Sequence, residues 1–155
     1  MSPSPVSQYL TEQNIDHREF THPGAVRSFE QAAAERGQEP GQVVRSLLFR
    51  LSEDNFVMVL VAGPQQIPWK PLRRYLGERR VTMADDDELL AVTGYRKGTV
   101  SPFGLPGPVR ILIDQTVLQY EEISIGSGER NTTVIMASAV LQAALSDAEL
   151  VDLLP

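Results

Sequence analysis

Apolar and polar positions along this chain follow two periods and switch between them often. In residues 4–13, Val6, Tyr9 and Leu10 fall on one helical face. Ser4 is placed to cap that helix, Pro5 suits its first position, and Asn14 suits a left-handed stop. Residues 17–21 alternate weakly and predict a short strand. Ser28 and Gln31 have capping-box spacing around the apolar positions Phe29, Ala32 and Ala33, and Gly37 closes this second helix. Residues 43–51 are apolar and β-branched enough for a strand, residues 56–61 are apolar on both faces, and residues 52–55 between them are turn-formers. Together they predict a hairpin covered from two sides.

Residues 68–76 read as a short helix followed by Gly77, and 81–83 as a brief strand. Asp85 and Glu88 repeat the capping-box spacing ahead of a helix that ends at Gly94. Residues 97–108 are rich in Gly and Pro and predict a loop. Strands are expected at 109–113, 123–125 and 132–136, the last two joined by a turn at Gly126, Ser127 and Gly128. A helix over 138–145 follows, and Ser146 with Glu149 predicts a last short one. No repeat or linker interrupts the pattern. The expectation is one domain over residues 1–155, of mixed α/β (α+β) class, with six or seven short strands joined more by hairpins than by regular βαβ units.

Composition narrows the chemistry. The 155 residues are 42% hydrophobic and 22% charged, an ordinary globular balance. There is no cysteine, which removes disulfides, thiolate metal sites and cysteine nucleophiles. With no signal-like N-terminus and no membrane-spanning run, a reducing, cytoplasmic home without membrane contact is expected. The only histidines, His17 and His22, have no metal-ligand spacing, so no metal and no cofactor is expected. No Gly-x-Ser-x-Gly elbow is present. The run from Gly126 to Asn131 lacks the third glycine of a dinucleotide fingerprint and reads as a hairpin turn. The acidic run from Asp85 to Glu88 reads as a helix N-terminus before it reads as a cation site.

Two features point toward a site. Arg45 shares a strand face with Leu47, Phe49 and Leu51, so its charge sits at the mouth of an apolar face. It meets an anion or ligand there, or it reaches solvent or a carboxylate. Gly98, Thr99, Val100, Ser101, Pro102, Phe103 and Gly104 form an irregular loop with small side chains. Such a loop can aim several backbone N–H groups at one oxyanion, or be an ordinary tight connection. The net charge of −6 disfavours gripping a long nucleic-acid duplex, but Lys70, Arg73, Arg74, Arg79 and Arg80 form a local basic patch. The patch is either a solvated helix face or a local contact for one end of a nucleic acid.

These residues carry a resemblance. His22, the Ala32–Ala33 helix, VVRSLLFRL from Val43, FVMVLVAG ending at Gly63, VTMADDDEL from Val81, TGYRKGTVSPFG from Thr93 and ILID from Ile111 stand in an order that resembles the YbaK family. That family is related to the editing domain inserted in bacterial prolyl-tRNA synthetase. The resemblance runs over residues 17–154 and implies a small barrel-like mixed sheet with flanking helices. It implies hydrolysis of the ester between a wrong amino acid and the 3′ end of tRNA. It places Gly98, Ser101, Pro102 and Arg45 at the catalytic centre and His22, Thr99, Val100, Phe103 and Gly104 around the substrate. The tRNA 3′ end with its amino acid is the implied partner, and an aminoacyl-tRNA synthetase a further one. Arg45 stands where the family usually has Lys, and no acidic residue stands near Thr132 and Thr133, where some relatives have one. An Arg there keeps the charge but loses the compact, titratable ammonium. Three functions fit: a trans-acting deacylase, a non-catalytic module holding an aminoacyl or nucleotide end, and a hydrolase of another small activated ester.

Overall fold

The computed structural model describes residues 3–52 and 54–154. Its helices are α1 (Pro5–Glu12), α2 (Phe29–Glu35), α3 (Trp69–Leu76), α4 (Asp86–Thr93) and α5 (Ser138–Ala144). Its strands are β1 (Arg18–Thr21), β2 (Val44–Ser52), β3 (Asn55–Ala62), β4 (Thr82–Met83), β5 (Arg110–Asp114), β6 (Glu122–Gly126), β7 (Thr132–Ala137) and β8 (Glu149–Val151). The predicted caps form. Ser4 Oγ accepts from Ser7 N–H, and Asp85 and Glu88 exchange both bonds of a capping box. Gly77 and Gly94 end α3 and α4 in the left-handed region. Ser28 caps α2, but the reciprocal half differs from the pattern: Gln31 Oε1 accepts from Arg27 N–H instead.

The strands form two sheets, one ordered β1-β7-β6 and one ordered β4-β2-β3-β5-β8. β2 and β3 make the expected antiparallel hairpin; its turn includes Glu53, which lies outside the described residues. The larger sheet is buried on both faces, which is why β3 shows no alternation. One face carries Leu48, Met58 and Leu60 into a core shared with Ile123, Val134, Val6 and Leu141. The other carries Phe49, Val59 and Leu112 against Leu72 of α3 and the C-terminal Leu153 and Leu154.

Three expectations are corrected. There are eight strands among the described residues rather than six or seven. The sheets do not close into a barrel: a single parallel bridge, Val43 to Ser124, joins them. The last short helix is instead β8, parallel to β5. A buried carboxylate decides that outcome, because Asp114 Oδ1 accepts from Leu153 N–H at 2.7 Å and ties the C-terminal segment to the end of β5. Among the described residues no helix is long and apolar enough to cross a membrane.

Candidate functional site

The gap between the sheets is where a cavity opens. β4 covers β2 only at Phe49 and Arg50, so beyond the Val43–Ser124 bridge residues 44–47 present, on the side away from β3, a strand edge without a partner among the described residues. That edge, α2, residues 124–126, Thr132 and Thr133 and the loop at Lys97, Gly98 and Val100 line a cavity of about 540 Å³. Its lining is mostly apolar, through groups such as Phe29, Ala32, Val44 and Ile125. Arg27, Arg36, Arg45 and Lys97 also line it, and none of the described lining residues is acidic. In a chain of net charge −6 this is a local reversal that suits an anionic ligand. Among the described residues no three His, Asp or Glu gather to hold a metal ion.

Tyr95 shapes the loop. Its buried hydroxyl donates to Phe103 O, closing the segment from 95 to 103 on itself. Burial, with Tyr9 adding to it, raises the Tyr95 phenol above its ordinary range. The loop lies against β6 so closely that a Cβ on Gly126 would stand 2.1 Å from Val100 O. Gly128 N–H donates to Thr99 O at 2.9 Å. The turn glycines therefore have a second role that a hairpin reading does not reveal: they seat the loop.

Gly98 takes φ +87° and faces open space. The N–H groups of Gly98 and Val100 have no protein acceptor among the described residues, while Thr99 N–H is spent on Arg96 O at 3.0 Å. The expected row of free donors is thus interrupted at Thr99. Thr99, Ser101, Pro102 and Phe103 are buried and do not line the cavity; Ser101 Oγ accepts from Phe103 N–H at 3.1 Å. Pro102 and Gly104 face a different surface depression, beside Tyr9.

Arg45 lines the cavity and is half-buried, and desolvation pushes its guanidinium below the ordinary value. It reaches neither solvent alone nor a carboxylate. Nε donates to Gly63 O at 2.9 Å and Nη2 to Gln65 O, so it pins the segment that leaves β3. His22 does not line the cavity. Its ring is buried behind α2, with Nδ1 2.6 Å from Glu35 Oε1 and Nε2 accepting from Arg36 Nε at 3.2 Å. Lys70, Arg73 and Arg74 sit on α3, which packs Leu72 on the other face of the large sheet, and none of the three lines the cavity. The structure thus brings Arg45, Gly98 and Val100 together and leaves the other expected residues outside the lining. Arg36 and Ser124 are cavity residues that the sequence reading missed. Arg36 sits at the end of a short helix among 12 arginines, and no spacing sets it apart.

Residues 23–144 match the family profile described as "Aminoacyl-tRNA editing domain". The chain belongs to this family. The editing domain is 30% identical over 120 residues to the proline–tRNA ligase of Thermosipho melanesiensis, covering 77% of this chain and 21% of that one. It thus spans about a fifth of the length of that ligase. It is 27% identical to the uncharacterized protein YwhH of Bacillus subtilis over 86% of this chain and 85% of that one. A crystal structure described as that of a proposed trans-editing enzyme for prolyl tRNA synthetase superposes with TM-score 0.87 at 26% identity, covering 99% of each chain. The editing domain and that protein share the mixed α/β fold.

Proposed function

We propose that this chain is a trans-acting deacylase that hydrolyses the ester of mischarged tRNA, with the aminoacylated 3′ end seated in the cavity between the sheets. The observation that carries this reading is the wall itself: Gly98 and Val100 offer unpaired backbone donors beside a cation-lined, mostly apolar cavity. Those donors suit the oxyanion that forms when water attacks the ester carbonyl. The carbonyl carbon gains a bond to water oxygen, its bond to the ribose oxygen breaks, and the ribose oxygen takes up a proton. The cavity lining has no His, Asp or Glu to act as general base among the described residues. The neighbouring ribose hydroxyl of the substrate fills that role by orienting the water. An aminoacyl ester is already activated, so oriented donors and a positioned water are sufficient help.

Family membership supports aminoacyl-tRNA as the substrate class, and the synthetase for proline as a partner. A second reading, a non-catalytic holder of the 3′ end, is favoured by Arg45, which spends its donors on backbone carbonyls in place of the family lysine. Deacylation assayed over a panel of mischarged tRNAs separates the two. Turnover of at least one tRNA is expected. Tight binding without turnover on any tRNA favours the holder, and turnover of free esters alone favours a small-ester hydrolase.

A further inference from the structure

The cavity wall holds a cation that the loop motif does not include. Arg36 follows α2, and burial pushes its guanidinium below the ordinary value, with the charge of Glu35 opposing that shift. It pairs with no carboxylate among the described residues: their ion pairs join Arg18 to Glu122, Arg50 to Glu88 and Arg110 to Glu149, and Glu35 turns to His22 instead. Nε donates to His22 and Nη1 donates to Ser124 Oγ at 2.9 Å. A guanidinium has five N–H donors, so three remain for whatever enters the cavity it lines. Burying a cation without a carboxylate is costly, and a planar fork of free donors matches an oxyanion.

The fork is also held in place. Arginine only donates, so His22 Nε2 is the acceptor and Nδ1 carries the proton, with Nδ1–H donating a hydrogen bond to Glu35 Oε1. Glu35 Oε2 in turn accepts from Gln31 Nε2 at 2.8 Å. The relay from Gln31 through Glu35 and His22 to Arg36 fixes a tautomer and, through it, the plane of the guanidinium.

We propose that Arg36 binds the 5′-phosphate of the terminal nucleotide, with His22 and Glu35 as its positioning residues. The proposal rests on the reading of the cavity as the seat of a tRNA 3′ end. In an aminoacyl ester the amino acid's carboxyl is consumed and its amine is cationic. The phosphodiester is therefore the anion that every charged 3′ end brings to a wall built of Arg27, Arg36, Arg45 and Lys97. An acidic aminoacyl side chain is the other source of an oxyanion.

The test compares 5′-AMP with adenosine, titrated by NMR into the intact protein. The unaltered chain is expected to prefer 5′-AMP. Arg36→Ala should shrink that preference about ten- to a hundredfold, as loss of a charge-assisted hydrogen bond does. Arg36→Gln, which keeps a shorter, neutral donor near the position of Nε, should do the same if the alanine variant fails to fold. Arg36→Lys should restore part of the preference. His22→Phe should lower the 5′-AMP to adenosine ratio at constant adenosine affinity, an effect that a merely structural role would not produce. A ratio unmoved in folded Arg36→Ala or Arg36→Gln would overturn the proposal. So would loss, in those variants, of a preference for Asp- or Glu-charged tRNA over Ala-charged tRNA while the nucleotide ratio holds, which would assign Arg36 to the side chain. If the unaltered protein binds neither ligand, the reading of the cavity itself fails and the proposal with it; failure of the proposal alone is the case in which both bind and the ratio persists.

Discussion

Arg45 illustrates how a single side chain can join structure to chemistry. Its bonds to two backbone carbonyls hold the exit of β3, and the residue lines the cavity. Arg45→Ala should therefore cost about 1–2 kcal/mol in thermal melts, since each net hydrogen bond contributes about 0.5–1.5 kcal/mol. It should also depress deacylation per folded molecule. Arg45→Lys separates the roles: an ammonium can satisfy one carbonyl but not the fork, so recovered turnover with incomplete recovery of stability would assign the charge to chemistry. In the loop, Ser101→Ala should keep most turnover, because its hydroxyl is buried and occupied by Phe103 N–H. A dead but folded Ser101→Ala would instead point to a covalent ester. Gly98→Ala should lose both stability, about 1–2 kcal/mol for a left-handed Cβ, and at least about tenfold in turnover. At this scale the sequence made Arg45 and Gly98 legible, because strand period and glycine spacing single them out. Arg36 was not legible, because its partners lie 14 and 88 residues away and a helix-end arginine normally faces water.

Helices and the central hairpin were readable as elements because their signals are local: a capping residue, a left-handed stop, an unbroken apolar run. β8 was not readable, since three residues cannot show a period and their partner strand is 37 residues upstream in register, Leu112 against Glu149. The contacts that make it a strand can be tested. Asp114 Oδ2 accepts from Thr116 N–H and Oγ1, and Oδ1 from Leu153 N–H. Asp114→Asn should cost about 2–3 kcal/mol, read as a lowered melting temperature, because a buried charged acceptor is replaced by an amide that cannot accept at both ends. Arg110 on β5 pairs with Glu149 at 2.7 Å across the same two strands. The Arg110 guanidinium holds the Glu149 carboxyl below its usual 4.5 against the opposing effect of burial, with a smaller contribution from the Tyr75 hydroxyl. Glu35 is likewise lowered, by Gln31 first and His22 next. A carboxyl lowered on folding stabilises above its unfolded value and loses that contribution as pH falls through its folded value. The melting temperature should therefore be flat above about pH 5 and fall below 4.5, with a shallower acid limb in Glu149→Gln. An acid limb unchanged in that variant would move the titration to other carboxylates.

At the scale of the whole molecule, charge is divided against itself. Of the 14 basic residues of this acidic chain, two groups bear on tRNA: the cavity wall, and Lys70, Arg73 and Arg74 on α3, on the far face of the large sheet. Bulk attraction to a polyanion is thus weak, and binding of tRNA has to come from contacts local to one cluster or both. The open seam between the sheets explains why the cavity exists, and it could not be inferred from strand count or order, since closure depends on which edges meet. The two clusters make different predictions. If the cavity seats the end of the tRNA, loss of its cations should weaken adenosine nucleotides and whole tRNA alike. Cations on α3 lie outside the cavity, so if they meet the acceptor stem the double variant Arg73→Ala, Arg74→Ala should leave 5′-AMP affinity untouched while raising the Michaelis constant for tRNA. The same variant should flatten the dependence of tRNA affinity on salt, by up to about 1.8 in the log–log slope if both side chains neutralise duplex phosphates. Measuring binding between low and physiological salt gives that slope directly. A slope identical to that of the unaltered chain would make α3 a solvated face and leave the cavity to bind the tRNA end unaided.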